Sequence, residues 1–154
     1  MNTTLGCQRS STHSAIAPDS LAKAPRPMGP HETTEAVERD LAEIGARLLV
    51  DVVDGIEGGT APGVPQDHSQ SSYAPRLTKE EGLIDWTRSA RGIHNRVRGL
   101  YPWPHAYTYL DGARIIVLKT HVIDEASPAD DRTAAPGEVV DVTRDAIHVV
   151  TGVG

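Results

Sequence analysis

Aromatic and sulfur-containing side chains are scarce in this chain. Phenylalanine is absent, aromatic residues make up 4% of the 154 positions, and there is one cysteine, Cys7. A hydrophobic core must therefore be built mainly from Val, Ile and Leu, and an internal disulfide or a Cys-rich zinc site is excluded. No apolar run reaches the roughly 18 to 20 residues of a membrane span, and the polar N-terminus lacks the apolar segment of a secretory signal. We therefore expect a cytoplasmic protein with no membrane association and no metal site.

Charge is distributed unevenly along the sequence, although the whole chain carries a net charge of −6. Residues 32–57 contain eight Asp or Glu and two Arg, whereas residues 73–124 contain eight Lys or Arg and five Asp or Glu. The overall acidity argues against a general nucleic-acid binder. The pattern indicates either two ordinary solvated faces or an acidic helix followed by a basic module that faces an anionic partner.

The first strong element is an amphipathic helix predicted over residues 33–57. Thr33 is a suitable N-cap, and Gly58-Gly59 ends the helix. Apolar residues recur at the three- and four-residue spacing of one helical face, namely Val37, Leu41, Ile44, Leu48, Val52 and Ile56. A stripe of this width needs a partner surface, and we expect the helix to be loosely docked, self-associated or frayed where that surface is missing.

The flanking segments have the composition of irregular structure. Residues 1–30 carry several prolines and no helical or strand period, so residues 1–18 are expected to be disordered and Leu21–Gly29 to form an extended tail or an edge strand. Residues 60–73 are rich in Pro, Gly and Ser and have the composition of a linker. Neither segment offers a site for chemistry.

A second helix and four strands are predicted in the C-terminal half. Ser89 caps a helix over residues 90–100 whose buried side carries Ile93, Val97 and Leu100. Strands are expected at residues 106–110, 114–123, 137–142 and 146–151, with Asp111-Gly112 as a hairpin turn between the first two. The fold class is therefore α+β: a helix and linker, followed by a small antiparallel β-barrel of the OB type.

Four motifs occur in a characteristic order: Tyr73–Glu80 (YAPRLTKE), Ile84–Trp86 (IDW), Ile93–Gly99 (IHNRVRG) and Pro102–Pro104 (PWP). This order resembles the hinge and C-terminal domain of the methionyl-tRNA formyltransferases. The resemblance implies a fragment with a disordered or non-homologous tail (1–30), the last helix of the catalytic domain (31–59), an interdomain linker (60–88) and a truncated OB-like domain (89–154). It also implies that the barrel is incomplete, because the family's barrel continues further.

The resemblance implies a reaction that this chain does not complete. The family transfers a formyl group from 10-formyltetrahydrofolate to the amino group of methionyl initiator tRNA, using an Asn, a His and an Asp. The motifs that carry those residues are not visible here, so no catalytic, cofactor-binding or metal-binding residue is assigned. The fragment is expected to be inactive alone, to hold no cofactor of its own and to be monomeric within the full enzyme.

The remaining functional candidates are basic side chains that could contact the tRNA phosphates: Arg76, Lys79, Arg88, Arg91 and Arg98. On the second predicted helix, Arg91, His94 and Arg98 recur at three- and four-residue spacing, which predicts one solvated face with His94 exposed. The alternatives are an ordinary soluble face, a standalone RNA-binding module, and the C-terminal domain of a sugar-nucleotide formyltransferase.

Overall fold

A computed structural model of the chain describes residues 20–123 and 134–153. The chain divides into two compact units: Met1–Glu32 with Ala36–Pro75, and Thr33–Glu35 with Arg76–Gly154. Within these described residues, two α-helices and four short antiparallel strands confirm the predicted α+β class. The predicted disorder of residues 1–18 concerns positions outside the described residues.

The first unit is built on helix α1, Thr34–Glu57. The helix begins directly after Thr33, the expected cap, and ends before Gly58, so the predicted element is confirmed. The amide of Gly58 donates to the carbonyl of Asp54 at 2.9 Å, and Gly59 takes a φ of 70°, which suits a helix end. No residue of α1 is fully buried: the stripe residues from Val37 to Val52 are half-buried, and Ile56 is 57% exposed.

The tail before α1 is extended and is held at two places within the first unit. Ser20 and Val64 form an isolated antiparallel bridge, with N–O distances of 2.8 and 2.9 Å. Arg26 binds Glu32 through two hydrogen bonds of 2.6 Å and also donates to Asp40 on α1. Of the two predicted alternatives, the segment therefore has the extended-tail form rather than that of an edge strand.

The core of the second unit is small and aliphatic. Its buried apolar residues lie on helix α2 (Ala90–Gly99), beside it and at the start of the first strand: Ile84, Ile93, Val97, Leu100 and Ala106. Ser89 caps α2, because its Oγ accepts a hydrogen bond from the Gly92 amide at 3.1 Å. The predicted cap and the predicted buried face are both confirmed.

Strands β1 (Ala106–Leu110) and β2 (Ala113–Val117) form an antiparallel hairpin. Asp111 and Gly112 have φ values of 50° and 80°, as the Asp-Gly turn predicts. The extension of β2 to Ile123 was wrong. Val117 pairs with Ala106, and the residues before Ala106 cannot continue the ladder because Pro104 lacks an amide proton and His105 has a φ of 66°.

Strands β3 (Val139–Val142) and β4 (Ile147–Val149) form a separate antiparallel hairpin, and each is shorter than predicted. A register shift between Val139 and Asp141 interrupts their pairing. Beyond the strand ends, single backbone bonds replace the ladder, such as that from Gly137 N to Val150 O at 2.8 Å. Among the described residues, the two sheets are not joined into a closed barrel.

The last described residues pack against the start of α2. The Gly152 amide lies 2.9 Å from the Trp86 carbonyl and 3.0 Å from that of Arg88, and Ala90 donates to Val153 at 3.0 Å. A Cβ at position 152 would collide with the Thr87 carbonyl. This close approach requires glycine, and it anchors the segment that carries Arg88.

Candidate functional site

The five basic residues selected from the sequence all lie in the second unit, and we call them the cationic set: Arg76, Lys79, Arg88, Arg91 and Arg98. The first two lie in an exposed stretch that leads into a short 3-10 helix, Glu80–Gly82. The third precedes α2, and the last two lie on it. Arg98 is partly buried, and the other four are exposed.

Arg91 and Arg98 share one side of α2. An α-helix turns about 100° per residue, so positions seven apart differ by about 20° and lie about 10 Å apart along the axis. Arg91 makes no ion pair within residues 20–123 and 134–153, and Arg98 donates through Nε to Asn95 Oδ1 at 3.0 Å. Arg91 is exposed to solvent, and Arg98 is partly exposed.

His94 does not belong to this solvated side, and the prediction that it is exposed was wrong. Its side chain is buried at 5% exposure, and its Nδ1 lies 3.0 Å from Thr120 Oγ1. His94 lies about 60° around the helix from Arg91, next to the apolar side formed by Ile93 and Val97. Thr120, distant in sequence, supplies the polar partner that a buried imidazole needs.

Arg88 has an acidic neighbour. Its Nε lies 3.6 Å from Asp85 Oδ2, on the surface of the unit. The Asp85 carboxylate accepts hydrogen bonds from the Thr87 hydroxyl at 2.6 Å and the Thr87 amide at 3.1 Å. These bonds, helped by the charge of Arg88, lower the pKa of Asp85, so it stays ionised and partly offsets Arg88. Arg91, which is exposed and makes no ion pair within residues 20–123 and 134–153, is thus better placed than Arg88 to attract an anion.

Arg96 is a further basic residue of α2, and it has a structural role. Its Nη2 donates to the carbonyl of Glu81, and its Nε is buried. The bond ties α2 to the short 3-10 helix that follows Lys79. Arg96 therefore helps to position one end of the cationic set without belonging to its surface.

The β1–β2 hairpin carries a cluster of two tyrosines and one arginine that the sequence motifs did not indicate. The Tyr107 and Tyr109 rings meet edge to face with centroids 5.8 Å apart, and the Arg114 guanidinium lies 4.0 Å from the Tyr107 centroid. The sequence did contain a signal for it. A two-residue Asp111-Gly112 turn places Tyr109 opposite Arg114, as the observed register confirms.

The described parts of the chain offer little for other classes of site. Across residues 20–123 and 134–153, no three His, Cys, Asp or Glu side chains are grouped as metal ligands would be. Within the same ranges, no helix is long and apolar enough to cross a membrane. Trp86 packs against the core and donates a hydrogen bond to Thr108 Oγ1 at 3.1 Å. Trp103 is 50% exposed and is not part of the core.

The sequence and the fold of this chain are similar to those of known proteins. The family described as formyl transferase, C-terminal domain, matches residues 76–154, a range that contains the whole cationic set. A methionyl-tRNA formyltransferase from Heliobacterium modesticaldum is 42% identical over 139 residues, covering 88% of this chain and 44% of that protein. One from Citrifermentans bemidjiense is 39% identical over 136 residues, covering 88% and 41%.

The chain thus spans about two fifths of the length of the curated relatives that it matches. A crystal structure of a HypX variant from Aquifex aeolicus superposes with a TM-score of 0.63 at 17% identity, covering 93% of this chain and 25% of that one. At this identity the likeness concerns the fold alone. The C-terminal half of the chain matches the formyl transferase C-terminal domain, and relatives near 40% identity align with 88% of its length. The chain therefore belongs to the formyl transferase family, as a relative of the methionyl-tRNA formyltransferases.

Proposed function

We propose that this chain is the tRNA-holding portion of a methionyl-tRNA formyltransferase. The whole enzyme would move a formyl group from 10-formyltetrahydrofolate to the amino group of methionyl initiator tRNA in the cytoplasm. Residues 31–59 would be the last helix of the catalytic domain, residues 60–88 the hinge and residues 89–154 an OB-like domain. The folate donor and the reacting groups would be held outside this chain, and the full enzyme would act as a monomer.

The observation that carries the proposal is the cationic set on the matched domain, four of whose five members are exposed. Residues 76–123 contain eight Lys or Arg and four Asp or Glu, a local charge of +4 within a chain of net charge −6. A polyanion would be attracted to this segment rather than to the acidic residues of α1. The charge distribution therefore favours one surface of the chain for a nucleic acid.

Arginine suits phosphate because its planar guanidinium can donate two parallel hydrogen bonds to the phosphate oxygens. Contacts of this kind position a nucleic acid without reading its sequence. Arg91 and Arg98, two turns apart on α2, would contact separate phosphates of the backbone. The cationic set would thus hold the body of the tRNA while selection of the initiator takes place elsewhere in the enzyme.

The alternatives predict different ligands. A sugar nucleotide carries only two phosphates, too few for cations spread from Arg76 to Arg98. The methionyl-tRNA formyltransferases among the relatives also favour tRNA. A standalone RNA-binding module would use the same cations but would have no part in formyl transfer. The match to a fraction of longer transferases favours a portion of an enzyme over such a module.

The test is a double substitution, Arg91→Glu with Arg98→Glu, measured by fluorescence anisotropy with labelled tRNA at low salt. We expect at least tenfold weaker binding of initiator and elongator tRNA alike. The slope of log affinity against log salt should also shrink, by about one per lost phosphate contact. A matched control, Arg39→Glu with Arg144→Glu, changes the same charge at exposed positions outside the set. Equal affinity of the wild-type and the Arg91/Arg98 double variant would rule this surface out, and circular dichroism checks that α2 persists.

A further inference from the structure

One face of the β1–β2 hairpin is directed away from the core. Side chains alternate between the two faces of a strand, so Tyr107 and Tyr109 lie on one face together with their cross-strand partners Ile116 and Arg114. The opposite face carries the buried Ala106, the core-packed Val117, and Thr108, which binds Trp86. The tyrosine face therefore contributes little to the core. We call its residues the hairpin face: Tyr107, Tyr109, Arg114 and Ile116.

The hairpin face is ordered by its own contacts. Tyr107 packs over Gly82, where a Cβ would lie 3.0 Å from the Tyr107 Cδ1. The edge of one ring meets the face of the other at an interplanar angle of 86°, and the Arg114 guanidinium covers the Tyr107 ring. Tyr107 is thus fixed from several sides, while Tyr109 remains 57% exposed. An aromatic ring of this exposure next to an ordered cation is preorganised for a flat anionic ligand.

Arg114 makes no ion pair within residues 20–123 and 134–153. Among these described residues no carboxylate pairs with its charge, and residues 76–123 carry a local charge of +4. Ile116, at 47% exposure, extends the apolar surface next to the rings. Exposed aromatic rings beside arginine are the combination with which proteins hold unpaired nucleotides, because every base has a flat face to stack and a phosphate beside it.

We propose that the hairpin face binds an unpaired RNA nucleotide, with the base stacked on Tyr109 and its phosphate on Arg114. The inference rests on the proposed function, since it takes RNA as the partner, and it adds a distinction between two surfaces. The cationic set contacts the phosphate backbone, paired or unpaired. The hairpin face needs a base that is free to leave its stack, so it favours single-stranded segments.

The experiment compares two labelled RNA probes with the full chain: a single-stranded octamer of mixed sequence and the same octamer annealed to its complement. Tyr109→Ala should weaken single-strand binding by about fivefold or more and leave duplex binding within a factor of two. Tyr109→Phe keeps the stacking ring and should retain wild-type affinity. Arg114→Gln should weaken single-strand binding and reduce its salt slope by about one. Tyr73→Ala, which removes another highly exposed tyrosine, is the matched control and should change nothing.

Several outcomes would overturn the proposal. One is an unchanged single-strand affinity in Tyr109→Ala, the result expected if this face contacts a protein instead. Another is an equal loss for both probes, or a loss in Tyr109→Phe as large as in Tyr109→Ala, because neither result fits stacking. The Arg91/Arg98 double variant separates the two ideas. If it fails to weaken tRNA binding, the proposed function of the cationic set is wrong. The proposal for the hairpin face is tested separately, by whether Tyr109→Ala weakens binding of the single-stranded probe more than binding of the duplex.

Discussion

At the scale of single residues, two glycines allow backbone segments of the second unit to approach closely. Gly82 lies against the carbonyl of His105, where an added Cβ would collide, and it also faces the Tyr107 ring. Gly152 lies against the carbonyl of Thr87 in the same way. In both cases the obstacle is backbone, which cannot move aside as the end of a flexible side chain can.

Gly82→Ala and Gly152→Ala should therefore each lower the free energy of unfolding by about 1–3 kcal/mol, the usual cost of overpacking. Gly99→Ala is the matched control, because nothing lies within 4 Å of the added Cβ and Gly99 ends a helix. Alanine in a helix is favoured over glycine by about 0.5–1 kcal/mol, so the control should be neutral or stabilising. Urea unfolding measures all three, and a destabilised Gly99→Ala with unaffected Gly82→Ala would contradict the argument.

Asp85 should make stability depend on acid pH. The Thr87 hydroxyl and amide lower the pKa of Asp85 in the folded state. A carboxyl with a depressed folded pKa stabilises the fold above its unfolded pKa and loses that contribution as pH falls through the folded value. Asp85→Asn keeps an oxygen acceptor but has no charge. We expect a lower urea midpoint than wild type at pH 7, with the difference disappearing as pH falls below about 4. A constant difference down to pH 2 would show that the charge is not responsible.

At the scale of elements, α1 is a helix without a core of its own, because none of its residues is buried. The extended tail is attached to it through the guanidinium of Arg26, whose side chain is 12% exposed. The two carboxylates, Glu32 first and then Asp40, raise the pKa of Arg26 further above its ordinary value, so the group stays charged. The planar guanidinium matters here, since Nη1 and Nη2 donate to Glu32 while Nε and Nη2 donate to Asp40.

Arg26→Lys should release this tail although the charge is kept, because an ammonium group cannot reproduce a bidentate contact. We expect faster amide hydrogen exchange at Gly29, whose amide donates a hydrogen bond to the Glu32 carboxylate, and at the Ser20–Val64 bridge. Lys23→Ala in the same segment is the control, since Lys23 is exposed. Wild-type exchange rates in Arg26→Lys would show that charge alone holds the tail.

At the scale of the whole molecule, the two units differ in what they offer. The second contains the core, both sheets, the cationic set and the hairpin face. The first presents an apolar helical stripe that is half-buried from Val37 to Val52 and ends at Ile56, which is 57% exposed. Fully burying such a side chain is worth about 1.5–3 kcal/mol, so this stripe forgoes part of the stabilisation that it could provide. The proposal that α1 is the last helix of a catalytic domain gives this stripe a partner.

The purified chain should form no formyl-methionyl-tRNA from charged initiator tRNA and 10-formyltetrahydrofolate. The reason is chemical: formyl transfer needs a group that polarises the formyl carbonyl and a base for the amine proton, and we assign neither to this chain. The full-length Heliobacterium modesticaldum relative is the positive control in the same assay. Donor-dependent product formation above background by this chain would contradict the prediction.

The elements that could be predicted from sequence are those specified by neighbours along the chain. The apolar spacing predicted α1 almost to the residue, Ser89 predicted the cap of α2, and Asp111-Gly112 predicted the hairpin turn with both φ values positive. Each depends on a local rule, namely helical periodicity, an unpaired amide at a helix start or the sterics of a turn. The motifs were likewise local, and they were sufficient to indicate the family.

What only the tertiary structure decided depends on residues far apart in sequence. The burial of His94 required Thr120 as a partner, the inward course of Arg96 required the Glu81 carbonyl, and β2 stopped where β1 had no further residue to pair. The hairpin face forms because the pairing of β1 with β2 places Tyr109 opposite Arg114. Periodicity shows which residues share a face, but only packing shows whether that face contacts water or protein. Whether a residue is buried depends on which other residues pack against it, and not on its own type alone.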